Sequence, residues 1–174
     1  MRTALVVVCI ASAASFALAD AKKPAPKPES KAMVAAKAWV AAMVDPKAPL
    51  PEVSAEHPQV HDTNSVLKGC DSRGGTITTP EKLAKVKACY VVSYKDMKLK
   101  KGAKPTTVEE KPYKDKSIGE DRILSTLKDV PTTSTIVDVE WEKGEKSVHI
   151  TVLVDPDDRI RVAWMAWQDH GAGD

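Results

Sequence analysis

The sequence is poor in aromatic residues and in cysteine, and it has no excess of charge of one sign. Only 5% of its 174 residues are aromatic and three are cysteine, while 26 basic residues nearly balance 24 acidic ones. A net charge of +2 produces no strong field, so it gives no argument for a nucleic-acid partner. The hydrophobic content of 43% is too high for a disordered chain and fits one globular domain.

Motifs that would identify a reaction or a cofactor are also missing. The chain has no glycine-rich phosphate loop, no serine-hydrolase elbow and no metalloprotease helix. His57 and His61 are four residues apart, but Pro58 interrupts helical spacing and no third ligand is identifiable, so no metal site is expected. The acidic turn 155–158 lacks the glycine and the distant glutamate of a calcium loop. We therefore predict no cofactor.

The long apolar stretch is at the start of the chain. Met1 and Arg2 provide a positive start, residues 3–18 carry no charge, and small residues precede Asp20 as signal peptidase requires. The apolar run is shorter than the ~20 residues that a membrane-spanning helix needs. The sequence therefore predicts a signal peptide over residues 1–19, export to the periplasm or the medium, and no transmembrane span after cleavage.

Removal of this signal leaves two cysteines, Cys70 and Cys89. An even number of cysteines in an exported chain favours pairing, because the destination is oxidising. Two buried thiols are the alternative, and a zinc site would need ligands that the sequence does not place nearby. We predict a disulfide between Cys70 and Cys89.

After the signal, lysines and prolines make residues 20–31 an extended tether, and residues 32–174 form a single domain. Apolar residues at helical spacing predict a helix over 31–44, which ends where Asp45 precedes a proline. A second helix begins at Pro80 and gives way to a strand at 90–94.

The lysine-rich stretch 95–116 is predicted to be a long exposed connection or an irregular hairpin. Ser117 and Glu120 have the spacing of a reciprocal capping box, which predicts a third helix over 118–129.

Three alternating runs, 135–142, 146–154 and 160–167, predict a C-terminal antiparallel meander. A turn at Lys143-Gly144 would pair Val139 with Val148. An odd-length loop over 155–159 would place Val152 beside Val162. The predicted core face consists of Val137, Val139, Trp141, Val148, Ile150, Val152, Val154, Ile160, Val162, Trp164 and Ala166.

The same register places Asp138, His149 and Met165 in one row of the opposite face, with Glu140 and Trp167 in the next row. These five residues are the candidate ligand-binding set. A carboxylate beside His149 would hold one imidazole tautomer and raise its basicity, as a general base or an acid-recognising site requires. The competing interpretation is an exposed cross-strand ion pair that contributes at most ~1 kcal/mol.

Helices followed by a meander predict an α+β domain, with amphipathic helices packed on a twisted antiparallel sheet. The first helix and the last strand, IRVAWMAW at 160–167, give the chain an element order that resembles the nuclear transport factor two-like and cystatin-like folds over residues 31–167. The helix predicted at 118–129 departs from their pattern. The resemblance implies a cavity between helix and sheet, used by some members for binding and by others for isomerase or hydrolase chemistry.

The sequence predicts an exported binding or envelope-accessory domain whose partner is a small molecule or an envelope component. The alternative is a small isomerase- or hydrolase-like enzyme that uses Asp138 and His149.

Overall fold

The structure is a computed structural model with nine regular elements among the residues that it describes. These elements are α1 (Lys31–Val44), β1 (Gln59–Asp62), β2 (Gly75–Thr76), α2 (Pro80–Asp96), β3 (Thr107–Pro112), a short 3-10 turn (Tyr113–Asp115), β4 (Thr135–Lys143), β5 (Lys146–Val154) and β6 (Ile160–Asp169). The described residues are 28–51, 59–62, 75–76, 79–100, 102–118, 120, 124–125, 127–169 and 171. The predicted signal peptide, most of the tether and Cys70 lie outside these residues.

Helix α1 has the predicted bounds. Ser30 caps it, because its side chain accepts a hydrogen bond from the Met33 amide at 3.0 Å, and Asp45 ends it before a proline. One face of the helix is buried, and it packs against β4, β5 and β6. The buried residues of α1 are Ala36, Trp39, Val40 and Met43.

Helix α2 begins at Pro80 as predicted, and Thr79 caps it by accepting from the Lys82 amide at 3.3 Å. The predicted strand at 90–94 is wrong, because the helix continues to Asp96. Tyr90 extends the buried helical stripe and is fully buried, with its ring edge-on to Trp39 at 6.0 Å between centroids. Tertiary packing thus overrides the strand preference of this valine- and tyrosine-rich segment.

The strands form one six-stranded sheet in the order β2-β1-β6-β5-β4-β3. The pairs β3–β4, β4–β5 and β5–β6 are antiparallel, whereas β1 runs parallel to β6. Both helices contribute to the core on one side of the sheet, which we call the inner face. The α+β class is therefore as predicted, although part of the expected connection 95–116 is strand β3.

The register between β4 and β5 differs from the prediction by two residues. Val139 pairs with Ile150 and Trp141 with Val148, because the two-residue turn is Gly144-Glu145 and not Lys143-Gly144. Gly144 has φ +61, and a glycine in this conformation suits the first central position of a hairpin turn. An even shift keeps every side chain on its predicted face, so the inner residues of both strands are correct.

The register between β5 and β6 differs by one residue, which exchanges the faces of β6. Val154 pairs with Ile160, but Leu153 pairs with Val162, so Arg161 is the extra residue of a β-bulge. Beyond the bulge, Ala163 and Met165 belong to the inner core. The predicted core positions Val162, Trp164 and Ala166 therefore lie on the other side of the sheet, the outer face.

Part of the outer face is covered by the described residues between 113 and 130, which we call the covering segment. The capping box is confirmed, because the Ser117 amide donates to the Glu120 carboxylate and the Glu120 amide donates to Ser117 Oγ at 3.4 Å. The described positions 118, 120 and 124 are helical and 127–130 are not, so a helix does not extend to 129 as predicted; the positions between them lie outside the described residues. The covering segment encloses a second apolar cluster of Leu124, Ile136, Leu153, Val162 and Trp164, with Tyr113, Leu127 and Val130 at its border.

Candidate functional site

The outer face has an apolar half under the covering segment and a polar half beside it. Two cross-strand rows make the polar half, which we call the open half. Moving from β3 to β6, one row is Glu109, Asp138, Thr151 and Trp164, and the next is Thr107, Glu140, His149 and Ala166. The rigid sheet thus brings three acidic side chains and one imidazole onto the same surface.

His149 is paired with Glu140 and not with Asp138. The His149 Nε2 and Glu140 Oε1 atoms are 2.7 Å apart, with 40% of the histidine side chain and 18% of the glutamate side chain exposed. The corrected β4–β5 register causes this change, because it sets these two residues directly opposite each other. The predicted carboxylate–imidazole contact therefore exists with a different acid.

Asp138 sits in the neighbouring row and has its own partner. The Thr151 hydroxyl donates to Asp138 Oδ1, and Thr151 is the residue directly opposite on β5. Burial raises the pKa of Asp138 above its ordinary value, and the nearby Glu120 adds to this, while Thr151, Lys111 and His149 act in the opposite direction. Keeping Asp138 ionised is therefore less favourable in the folded protein than in water.

Keeping Glu140 ionised is also less favourable in the folded protein than in water. Burial raises the pKa of Glu140, and Glu142 and Glu109 raise it further, so the opposing effect of His149 is outweighed. Glu109 also lies directly opposite Asp138 across β3 and β4, an arrangement of like charges that destabilises a sheet. The open half therefore carries unbalanced negative charge.

Lys111 connects the open half to the covering segment. Its Nζ atom lies 2.7 Å from Glu120 Oε1, and its positive charge also acts on Asp138 and Glu109. Glu120 is almost fully buried, yet its pKa is lowered, because the hydrogen bonds from Lys111 and Ser117 and the charge of Lys111 outweigh the raising effect of burial. Lys111 thus links Glu120 of the covering segment to strand β3 beside the open half.

Of the five predicted site residues, the structure brings Asp138, Glu140 and His149 together. Met165 is fully buried in the inner core opposite Ile150, and the backbone register pairs Trp167 with Val148 and not with a residue of the open half. Both corrections follow from the bulge at Arg161, which shifts the faces of β6 by one residue.

Glu109 was not predicted to belong to the site, because the lysine-rich stretch that contains it gives no clear strand signal. Thr151 was not predicted to belong to the site either, because the predicted pairing of Val139 with Val148 would put Thr151 opposite Ile136. Only the observed register sets it opposite Asp138.

No family model, curated protein or solved structure matches this chain. The resemblance to the nuclear transport factor two-like and cystatin-like folds therefore stays a prediction. The disulfide stays one too, since Cys89 is buried in α2 while Cys70 is outside the described residues.

Two further observations bear on the chemistry that the described residues permit. Within those residues, no group of three or more His, Cys, Asp or Glu side chains is arranged to hold a metal ion. Among the same residues, no helix is both long enough and apolar enough to cross a membrane.

An open depression of about 480 Å³ lies away from the open half, where the end of α2 meets the β4–β5 turn. Asp96 and Lys146 form an ion pair across it with 2.7 Å between Oδ2 and Nζ. Its lining residues are Asp96, Met97, Lys98, Lys143, Glu145, Lys146 and Gly171. His149 is not among them.

Proposed function

We propose that the chain is an exported, non-enzymatic binding or envelope-accessory domain that holds a polar ligand on the open half of the sheet. The observation that carries the proposal is the His149–Glu140 pair, accessible on a rigid surface beside carboxylates whose pKa values are raised. Withdrawing a carboxylate from water is unfavourable unless a partner compensates. A ligand with ammonium, guanidinium or other donor groups would provide that compensation.

Binding is favoured over catalysis by the surroundings of His149. An acid–base catalyst gains most from a site that excludes water, where electrostatic interactions are strong. The 40% exposure of the His149 side chain fits surface recognition better. The enzyme alternative now depends on Glu140 as the partner of His149, and the 2.7 Å contact is the observation that favours it.

The predicted export of the chain also supports the proposal. The charged start, short apolar run and small residues before Asp20 are typical of a cleaved signal. An accessory domain delivered outside the cytoplasm would meet its ligand through the face that its helices leave uncovered.

Amide NMR titration of the protein with spermidine, a soluble triamine, tests the proposal. We expect shifts confined to residues 107–111, 138–142 and 147–151, and their loss in Glu140→Gln. Glu145→Gln is the matched control, because it removes an exposed acid from the β4–β5 turn outside the open half. Shifts that are equal in both variants, or that sodium chloride reproduces at equal ionic strength, would contradict a site at His149.

A further inference from the structure

The solvent side of α2 is a basic stripe with an apolar residue at its centre. Lys85, Val92 and Lys95 recur at helical spacing, so they lie on one side of the helix, and Lys82 borders them. All four are exposed, with Val92 at 42%. We call Lys82, Lys85, Ala88, Val92 and Lys95 the α2 stripe; at the rise of an α-helix it is about 20 Å long.

Lysines continue beyond the end of the α2 stripe. The exposed Lys98 and Lys100 follow the helix, while Glu81 is an exposed acid in the first turn and Asp96, on the same side of α2, pairs with Lys146 at 2.7 Å. In the part of the chain that the structure describes, neither Lys85 nor Lys95 forms an ion pair. The charge is therefore available to a partner even though the chain as a whole is nearly neutral.

We infer that the α2 stripe docks the protein on an anionic lipid surface. Each lysine near such a surface contributes about 1 kcal/mol, so several lysines along one helix provide measurable affinity without insertion. The opposite side of α2 packs into the inner core through Leu83, Val86 and Tyr90, so Val92 is the one large apolar side chain of the α2 stripe. Docking is accordingly electrostatic and peripheral.

Nucleic acid fits the α2 stripe less well. Proteins that bind single strands combine basic grooves with aromatic side chains on which bases stack. The α2 stripe is convex and has no aromatic residue, since Tyr90 is fully buried. A lipid surface requires neither a groove nor stacking rings.

This docking mode also sets the orientation of the molecule. Both helices pack on the inner face of the sheet, so contact through the outer side of α2 directs the open half away from the lipid. His149 would remain accessible in the docked protein. The inference does not depend on the ligand proposed for His149.

Co-sedimentation of the processed protein with lipid vesicles tests the inference. We compare phosphatidylcholine vesicles with mixed phosphatidylcholine and phosphatidylglycerol vesicles, and the wild type with the double variant Lys85→Gln/Lys95→Gln. At about fivefold per lysine, the double variant should lower the partition coefficient for anionic vesicles about 30-fold. The matched control, Lys114→Gln/Lys128→Gln, removes two exposed lysines elsewhere and should change it less than about twofold.

Three outcomes would overturn the inference. The first is equal binding to both kinds of vesicle. The second is an equal loss in both double variants, which would assign the binding to total charge or to the tether. The third is vesicle binding that is absent while double-stranded DNA is bound through Lys85 and Lys95. Circular dichroism of each variant confirms that exposed-lysine changes leave the fold intact.

Discussion

The ion pair between Asp155 and Arg161 should contribute far more to the free energy of unfolding than the Asp157–Arg159 pair of the same turn. Arg161 Nε donates to both carboxylate oxygens of Asp155 at 2.8 Å, and Ser134 Oγ donates to Oδ1 at 3.1 Å. Only 13% of the Arg161 side chain and 9% of the Asp155 side chain are exposed. The bulge at Arg161 therefore serves to aim a buried guanidinium at a buried carboxylate.

Asp155→Ala removes the acid and leaves that guanidinium without its counter-ion. Breaking a buried pair typically costs 3 to 5 kcal/mol, because one charge stays desolvated. Arg161 keeps a hydrogen bond from Nη1 to the Lys128 carbonyl at 3.3 Å and a little solvent contact, so the expected loss is about 3 kcal/mol. The turn itself should persist, since its hydrogen bonds to Arg159 and from Asp158 use the Asp155 backbone.

Asp157→Ala is the matched control from the same turn. Asp157 pairs with Arg159, and about half of each side chain is exposed, so the pair contributes less than about 1 kcal/mol. Urea unfolding at constant pH measures both variants, with unchanged m-values as the sign that only stability has changed.

A third variant distinguishes the loss of the Asp155 hydrogen bonds from the cost of leaving the Arg161 charge without a counter-ion. Adding Arg161→Met to Asp155→Ala should recover at least half of the lost stability, because the unpaired charge is gone. Equal costs for Asp155→Ala and Asp157→Ala, or no recovery in the double variant, would refute this account of the bulge.

Four further predictions follow from the site, the register and the export signal. Asp138→Asn should stabilise the protein near neutral pH in urea unfolding, because the pKa of Asp138 is raised in the fold; the gain should shrink as the pH falls below that folded pKa and vanish below the ordinary pKa of an aspartate. Met165→Lys should cost more than about 3 kcal/mol by burying an unpaired charge, whereas Ala166→Lys, on the outer face, should cost less than about 1 kcal/mol; similar costs would contradict the bulge. The intact mass of the exported protein should correspond to a chain that begins at Asp20. Alkylation of the unreduced, denatured protein should label neither Cys70 nor Cys89, and two labels would exclude the disulfide.

Short-range signals were sufficient to predict several elements. The bounds of α1, the start of α2 at Pro80 and the capping box at Ser117 depend on caps and prolines that act within a few residues. The inner and outer residues of β4 and β5 also follow from alternation, and they survive a register shift because that shift is even.

The candidate site could be predicted only in part for a related reason. Asp138, Glu140 and His149 share a face because of alternation alone, and the sequence shows this. The acid that pairs with His149 depends on the turn. The turn at Gly144-Glu145 shifts the β4–β5 register by two residues, so His149 lies opposite Glu140 and not opposite Asp138. Glu109 joined the site only when β3 was found at the edge of the sheet.

Local backbone preferences and alternation specify the α+β class, the start of each helix and the face of each residue in β4 and β5, so the sequence predicts all three. The helix at 90–94 and the exchange of faces of β6 at Arg161 depend instead on distant partners. Tyr90 is helical because it packs against Trp39, and the bulge brings Arg161 to Asp155. Local preference favours a strand at 90–94 and gives no sign of the bulge at Arg161.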